Sequence, residues 1–408
     1  MTDSRKKPRV CFLIGSFFPV VGGGESHALL LSSVLIRKGL SVFVLTRKTS
    51  GDLACYDKVR DVPVYRLPVS GSPRWGKYLM LLPAFLKLIR MRKEYDIIYV
   101  CALRVLGVTG LMAALLLGKK CILRSEACGE LSGDFIWESF HKPGILTPRF
   151  LIRPIIAIRN MFYRKADRFL SISSPIYKEY RKCGIEEEKI KTISNGIDVQ
   201  CFKPVNEAKR GLLREKLQLP EKRIFAYSGK LNAGKGLEML LEVWRRITEE
   251  FKDVHLLLIG GGSEHFLSCE ESLRVYVKSH ELTEKVTFTG YVVNVWEFLQ
   301  ASDYFVFPSE KEACPLAPIE AMACGLASIV TDVGGLSEVV TNGENGLIIK
   351  SKDEKALYDK MCFLLNNHEQ AVRMAEKGRE TVVSRWAIEE IAQQHLEMFN
   401  SLMGGKED

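Results

Sequence analysis

With 408 residues, 47% hydrophobic and 26% charged, the chain is long enough for two α/β domains that each bury a core, and its composition excludes a disordered or integral membrane protein. The net charge of +9 is unevenly spread: residues 1–204 carry 34 Lys and Arg against 17 Asp and Glu, the rest 24 against 32, so the two halves are expected to face different partners. Eleven cysteines lie scattered with no metal-like C-x-x-C pair and read as reduced thiols of a cytosolic protein.

The basic run Arg5-Lys6-Lys7-Pro8-Arg9 precedes an apolar stretch, but no small-residue cleavage site follows. Residues 10–18 are therefore predicted as a central parallel strand. Gly22-Gly23-Gly24-Glu25 leads into a helix from about Ser26 to Lys38, and glycines between a strand and a helix let backbone N–H groups approach an anion. Further strands are expected over residues 40–46, 62–67, 96–100 and 121–124, with another strand and a helix cap over 167–174. Two segments, 79–93 and 150–165, interleave basic and apolar residues. Each reads either as an interfacial helix on an anionic membrane or as a core helix with a solvated basic face. A membrane partner is preferred to nucleic acid, because no nucleic-acid motif accompanies the charge. Residues 105–117 are uncharged but too short to span a bilayer. The stretch 130–165, acidic and aromatic at Asp134, Phe135, Trp137 and Glu138 before turning basic, is a candidate acceptor or membrane surface.

Asn195-Gly196-Ile197-Asp198 is a turn, and a domain boundary is placed near Phe202-Lys203-Pro204. A strand over 223–227 then runs into Ser228-Gly229-Lys230-Leu231-Asn232-Ala233-Gly234-Lys235-Gly236 and a helix at Leu237. Two lysines five apart on such a loop can reach opposite sides of one diphosphate, or they are surface lysines on a turn. Strands follow over 255–259, 286–291 and 303–307. Pro308-Ser309 stops the last of these, Pro315 stands near the first position of a helix starting near Cys314, and Gly325 closes it. A buried strand over 326–331 ends in Asp332-Val333-Gly334-Gly335. Glu312 precedes the helix and Glu320 lies about two turns on. Carboxylates there can each hold a diol while the helix N-terminus draws a phosphate, which describes a nucleotide sugar; the plainer reading is two solvated helix-flank residues. Residues 384–402 read as one apolar-periodic helix.

Pro308-Ser309, Glu312, Glu320-Ala321-Met322-Ala323, Gly325, Gly334-Gly335, Glu338-Val339-Val340 and Asn342-Gly343-x-Asn345-Gly346-Leu347 together resemble the donor-site signature of the family 4 glycosyltransferases. The likeness is strong in the second half and looser in the first. It implies two Rossmann-like domains facing each other across a cleft, the GT-B arrangement. Their expected extents are residues 1–203 for the acceptor domain and 204–385 for the donor domain, with a helix over 386–408 returning to the first. It implies a retaining transfer of sugar from a nucleoside diphosphate to a hydroxyl acceptor such as a glycan or glycolipid, without metal or other cofactor. Gly23, Gly24, Lys230 and Lys235 would meet the diphosphate, and Lys230, where relatives carry arginine, would do so as a point charge. Tyr291 would lie at the base, Glu320 at the ribose, and Glu312 with Ala313, Cys314, Pro315 and Leu316 around the donor. Tyr99 and Cys101 replace sugar-binding histidines of relatives, and Glu126 stands where they place a histidine near the reacting carbon. A carboxylate there can take the acceptor's proton or steady charge on the sugar ring. A nucleotide-sugar epimerase and a non-catalytic sugar-binding or partner subunit are the competing readings.

Overall fold

The computed structural model describes residues 7–20, 22–68, 76–134, 149–262 and 267–404. The expectation for Phe135, Trp137 and Glu138 and the Arg5-Lys6 part of the basic run lie outside the described residues. Contacts divide the chain into two units, residues 1–196 with 388–408, and residues 197–387.

In the first unit, strands β1 (Arg9–Leu13), β2 (Ser41–Arg47), β3 (Tyr56–Val59), β4 (Val62–Leu67), β5 (Ile97–Cys101), β6 (Lys120–Arg124), β7 (Arg168–Ser171) and β8 (Ile190–Thr192) form one sheet in the order β3-β4-β2-β1-β5-β6-β7-β8. All neighbours are parallel except β3, which pairs antiparallel with β4 and was not anticipated from the sequence. Val10, Cys11, Phe12 and Leu13 of β1 are wholly buried, as a central parallel strand covered on both faces requires. One core joins the helices Gly23–Arg37 and Ile388–Leu402 to this sheet through Leu31, Val34, Ile391 and Phe399.

The second unit holds β9 (Arg223–Ser228), β10 (Val254–Ile259), β11 (Val286–Phe288), β12 (Tyr304–Phe307), β13 (Ala327–Thr331) and β14 (Leu347–Ile349), all parallel, in the order β11-β10-β9-β12-β13-β14. Both units are the doubly wound α/β sheets expected. In such a sheet, ligands bind outside the carboxyl ends of the strands where the winding reverses, here between β9 and β12.

Three expectations need correction. The chain divides at Gly196–Ile197, ahead of Lys203–Pro204, because Ile197 and Val199 join the second core and Gln300 donates to the carbonyls of Cys201 (3.2 Å) and Lys203 (3.0 Å). The helix over 384–402 is two, His368–Trp386 and Ile388–Leu402, parted by an extended Ala387 while the Trp386 carbonyl accepts from Ile197 N–H. The helix expected near Cys314 runs Leu316–Ala323, with Pro315 as its extended cap.

Candidate functional site

The loops after β9 and β12 meet at the winding reversal of the second unit. Tyr227, buried at the end of β9, donates its hydroxyl to the Lys230 carbonyl (3.1 Å), which anchors the loop while the Lys230 ammonium stays exposed. Gly236, at φ 69°, caps the helix Leu237–Glu250, and a Cβ there would strike the Pro308 carbonyl, so only glycine lets the two loops close up. Across that contact, Glu310 N–H donates to the Gly234 carbonyl (2.9 Å).

Lys235 forms an ion pair with Glu312 Oε1, and the Ser309 hydroxyl donates to the same oxygen (2.7 Å). The segment carrying Glu312 is fastened from a third side as well. Thr331 at the end of β13 donates to the Ser309 carbonyl (2.5 Å), Gly335 N–H donates to the Ala313 carbonyl (2.9 Å), and a Cβ on Gly334 would run into the Glu312 carbonyl. A lysine, a carboxylate and a hydroxyl are therefore gathered where three parallel strands end. Cys314, Pro315 and Leu316 follow, each half-buried, and open the helix that carries Glu320. Burial pushes the Glu320 carboxyl up to about 7, and no described residue hydrogen-bonds it. Tyr291, after β11, is 63% exposed and follows Gly290, whose φ is 65°.

The first unit places its expected residues differently. Gly23 and Gly24 are not loop residues: the helix begins at Gly23 with Gly22 as its extended cap. Glu25 in its first turn accepts from the Ser16 hydroxyl (2.7 Å). A Cβ on Gly24 would come within 2.9 Å of Glu126 Oε2, so this glycine is what lets the Glu126 loop approach the helix. Glu126 is paired in turn with Arg124, at 3.0 Å from Nη1, and Arg124 has no exposed surface. Its Nη2 also donates to Asn195 Oδ1 (2.6 Å). The loop beyond is pinned by Glu179, whose carboxylate accepts from the N–H groups of Gly129, Leu131 and Ser132 at 2.7–2.8 Å. Tyr99 and Cys101 are core residues: the Tyr99 hydroxyl lies 3.2 Å from His395 Nε2, its ring packs on Phe12, and both side chains are fully buried.

Sequence reasoning missed Arg124 and Asn195, which hold Glu126, and Ser309, which holds Glu312. An arginine directly after the apolar run Cys121-Ile122-Leu123, at the buried end of the strand Lys120–Arg124, was the available signal. Among the described residues, no group of three or more His, Cys, Asp and Glu is gathered as a metal ion would need.

A family model described as "Glycosyltransferase Family 4" matches residues 21–200, and one described as "Glycosyl transferases group 1" matches residues 209–381. Over 274 residues, 66% of this chain and 69% of the relative, the chain is 28% identical to the N,N'-diacetylbacillosaminyl-diphospho-undecaprenol alpha-1,3-N-acetylgalactosaminyltransferase of Campylobacter jejuni. In other curated relatives the matched part is shorter, about half of the relative's length (51%) in one from Haemophilus influenzae. Among solved structures, sucrose-phosphate synthase from Thermosynechococcus elongatus superposes with a TM-score of 0.80 at 22% identity, covering 98% of this chain and 100% of the other. Anabaena Alr3699/HepE in complex with UDP-glucose does so with 0.77 at 19%, covering 97% and 100%. With a family match on each of its two doubly wound units, the chain belongs to the family 4 glycosyltransferases of GT-B fold.

Proposed function

We propose that this protein is a retaining hexosyltransferase that moves a sugar from a nucleoside diphosphate to a hydroxyl acceptor, a lipid-linked saccharide or similar glycoconjugate precursor. One observation carries the reading: Lys235, Glu312 and Ser309 converge at the winding reversal of the second unit, and the loop of Lys235 also carries the exposed Lys230. In the transfer, the bond from the sugar's anomeric carbon to the diphosphate oxygen breaks, a bond to the acceptor oxygen forms on the same face, and the acceptor's proton is released. Lys230 and Lys235 neutralise the charge growing on the leaving diphosphate. Lys235 must then be shared with Glu312, and a bound diphosphate would free the carboxylate to accept hydrogen bonds from the donor sugar. Glu320, whose carboxyl no described residue hydrogen-bonds, takes the ribose hydroxyls. Gly23 and Gly24 remain candidates for the diphosphate, and Tyr291 for the base. The Arg124 pair occupies Glu126, which favours steadying positive charge on the sugar over taking a proton.

The UDP-glucose complex of the Anabaena protein supports a uridine donor, and the undecaprenol-linked substrate named for the Campylobacter relative supports a lipid-linked acceptor. Such an acceptor would be met on the cytoplasmic face of a membrane. The test is release of nucleoside diphosphate from a panel of UDP-, GDP- and ADP-sugars with lipid-linked acceptors. One donor should turn over, and Glu312→Ala and Glu320→Ala should abolish turnover. Unchanged turnover in both variants would refute the site.

A further inference from the structure

Three neighbouring helices of the first unit turn apolar stripes to solvent. Leu81–Arg90 buries Ala84 and Leu88 and exposes Leu82 and Leu86, one turn apart on its other side. Leu103–Leu117 packs beside it, burying Leu106 and Ala113 and exposing Val108, Met112 and Leu115 at helical spacing. The third helix, Arg149–Tyr163, seats on the second through Tyr163, whose hydroxyl donates to the Leu103 carbonyl (2.8 Å) and whose ring lies where a side chain on Gly107 would be. It exposes Ile155, Ile158 and Met161. Exposure on these stripes runs from 36% at Val108 to 68% at Leu116. In the second unit the exposed apolar side chains are fewer: Leu212, Leu267 and Val275 stand apart, Tyr291 and Val293 share one loop, and Val372 and Val383 one helix with charged neighbours.

Charge says what the stripes fit. Residues 76–93, 103–120 and 149–165 contain no Asp or Glu. Arg90, Lys93, Arg153 and Lys165 are exposed on or beside the outer helices, and none makes an ion pair among the described residues. A second copy of the chain would bring these cations against their own kind, and nucleic acid would leave the apolar stripes wet. We propose that the three helices form a docking face for an anionic lipid bilayer, the stripes lying among the acyl chains at headgroup depth and the Lys and Arg heads reaching lipid phosphates. No helix among the described residues is long and apolar enough to cross a membrane, so the contact is one of lying on the surface. The inference goes beyond the proposed transfer and does not depend on it.

The test is sedimentation of the full chain with vesicles of phosphatidylcholine alone and of phosphatidylcholine with phosphatidylglycerol. The protein should partition onto the anionic vesicles, less so at high salt. Leu116→Glu with Ile158→Glu should lower partitioning at least tenfold, and Arg90→Glu with Lys93→Glu should remove the preference for anionic lipid. Both double variants should keep the wild-type melting temperature. The proposal is overturned if the wild type binds no vesicle, if both double variants bind as it does, or if Leu116→Glu with Ile158→Glu only splits a dimer. UDP-induced stabilisation is read on the same samples, so a missing donor site and a missing lipid face register separately.

Discussion

The two units build their polar clusters in opposite ways. In the second, Lys235, Ser309 and Glu312 come from two short loops, and backbone bonds to Gly234, Ala313 and Ser309 fix where those loops sit. In the first, Glu126 is held by Arg124, Arg124 by Asn195, and the nearby His27 accepts from Gly196 N–H at 3.2 Å across 169 positions of sequence. The cluster of the second unit joins a glycine-rich loop to another 77 positions away and leaves its lysine and carboxylate partly exposed. The cluster of the first unit centres on a buried arginine, tied to Glu126 two residues on and to Asn195 across 71 positions, and is part of what holds the unit together.

Breaking each in turn separates the two kinds of role. If Lys235 meets the leaving diphosphate as proposed, Lys235→Met should lower turnover about 10²–10³-fold, as when a positioned electrostatic donor is lost, while the melting temperature hardly moves. Arg124→Met should show first in stability. It leaves Glu126 and Asn195 without their cation, costing about 3 kcal/mol, the low end for a broken buried pair because Glu126 keeps an exposed edge. Faster hydrogen exchange in β5 to β7, with UDP stabilisation of the second unit retained, would show it.

Acid should act on the first unit more gently. Burial, with Arg124 nearby, holds His27 well below its usual value, and burial takes His395 down to about 4. Both stay neutral when folded, while the unfolded chain takes up protons below roughly pH 6.5, so their contribution is lost as pH falls from there toward 4. Glu130 opposes them. Burial raises it to about 7, so acidification from 7 toward 4.5 favours the fold at that group. Two histidines against one carboxyl leave a net loss, on the order of 1 kcal/mol per pH unit, between roughly pH 6.5 and 4.5. Denaturant midpoints across that range check the slope, which His395→Gln should flatten. The smallest effect expected is that of Tyr99→Phe, about 1 kcal/mol for the lost contact to His395 with no change in turnover. A large fall in turnover would return Tyr99 to the sugar site.

The cluster of the second unit was legible because each of its two loops carries its own signal: the glycines around Lys230 and Lys235 and the prolines and glycines around Glu312 and Glu320 declare turns and helix starts, although the pairing of Lys235 with Glu312 across 77 positions was not in the pattern. Most strands were legible, since buried parallel strands read as short apolar runs, but the short edge strands β3, β8 and β14 were not. Arg124 was not, because Asn195 reaches it only through the fold, 71 positions away, and nothing in a strand ending in arginine says that the side chain will be buried against it and Glu126. The start of the first helix was misjudged because three glycines look like a loop. Only Gly22 stays outside the helix, as its extended cap, and Gly24 is required to be glycine by a tertiary contact, the approach of Glu126, that the sequence does not show. For the apolar segments 79–93 and 150–165 the sequence left open an interfacial helix or a core helix with a solvated basic face, and the structure adds that Leu82, Leu86, Ile155 and Ile158 are exposed.

Thermal unfolding with millimolar UDP, GDP, ADP and their sugar conjugates, run on the wild type and on Lys235→Met, tests the donor site most directly. One nucleotide series at a hundred times its dissociation constant should stabilise the wild type by about 2.7 kcal/mol, and Lys235→Met should lose most of that shift at the same concentration. No shift with any nucleotide, or the same shift in Lys235→Met, would contradict a diphosphate site at the junction of β9 and β12.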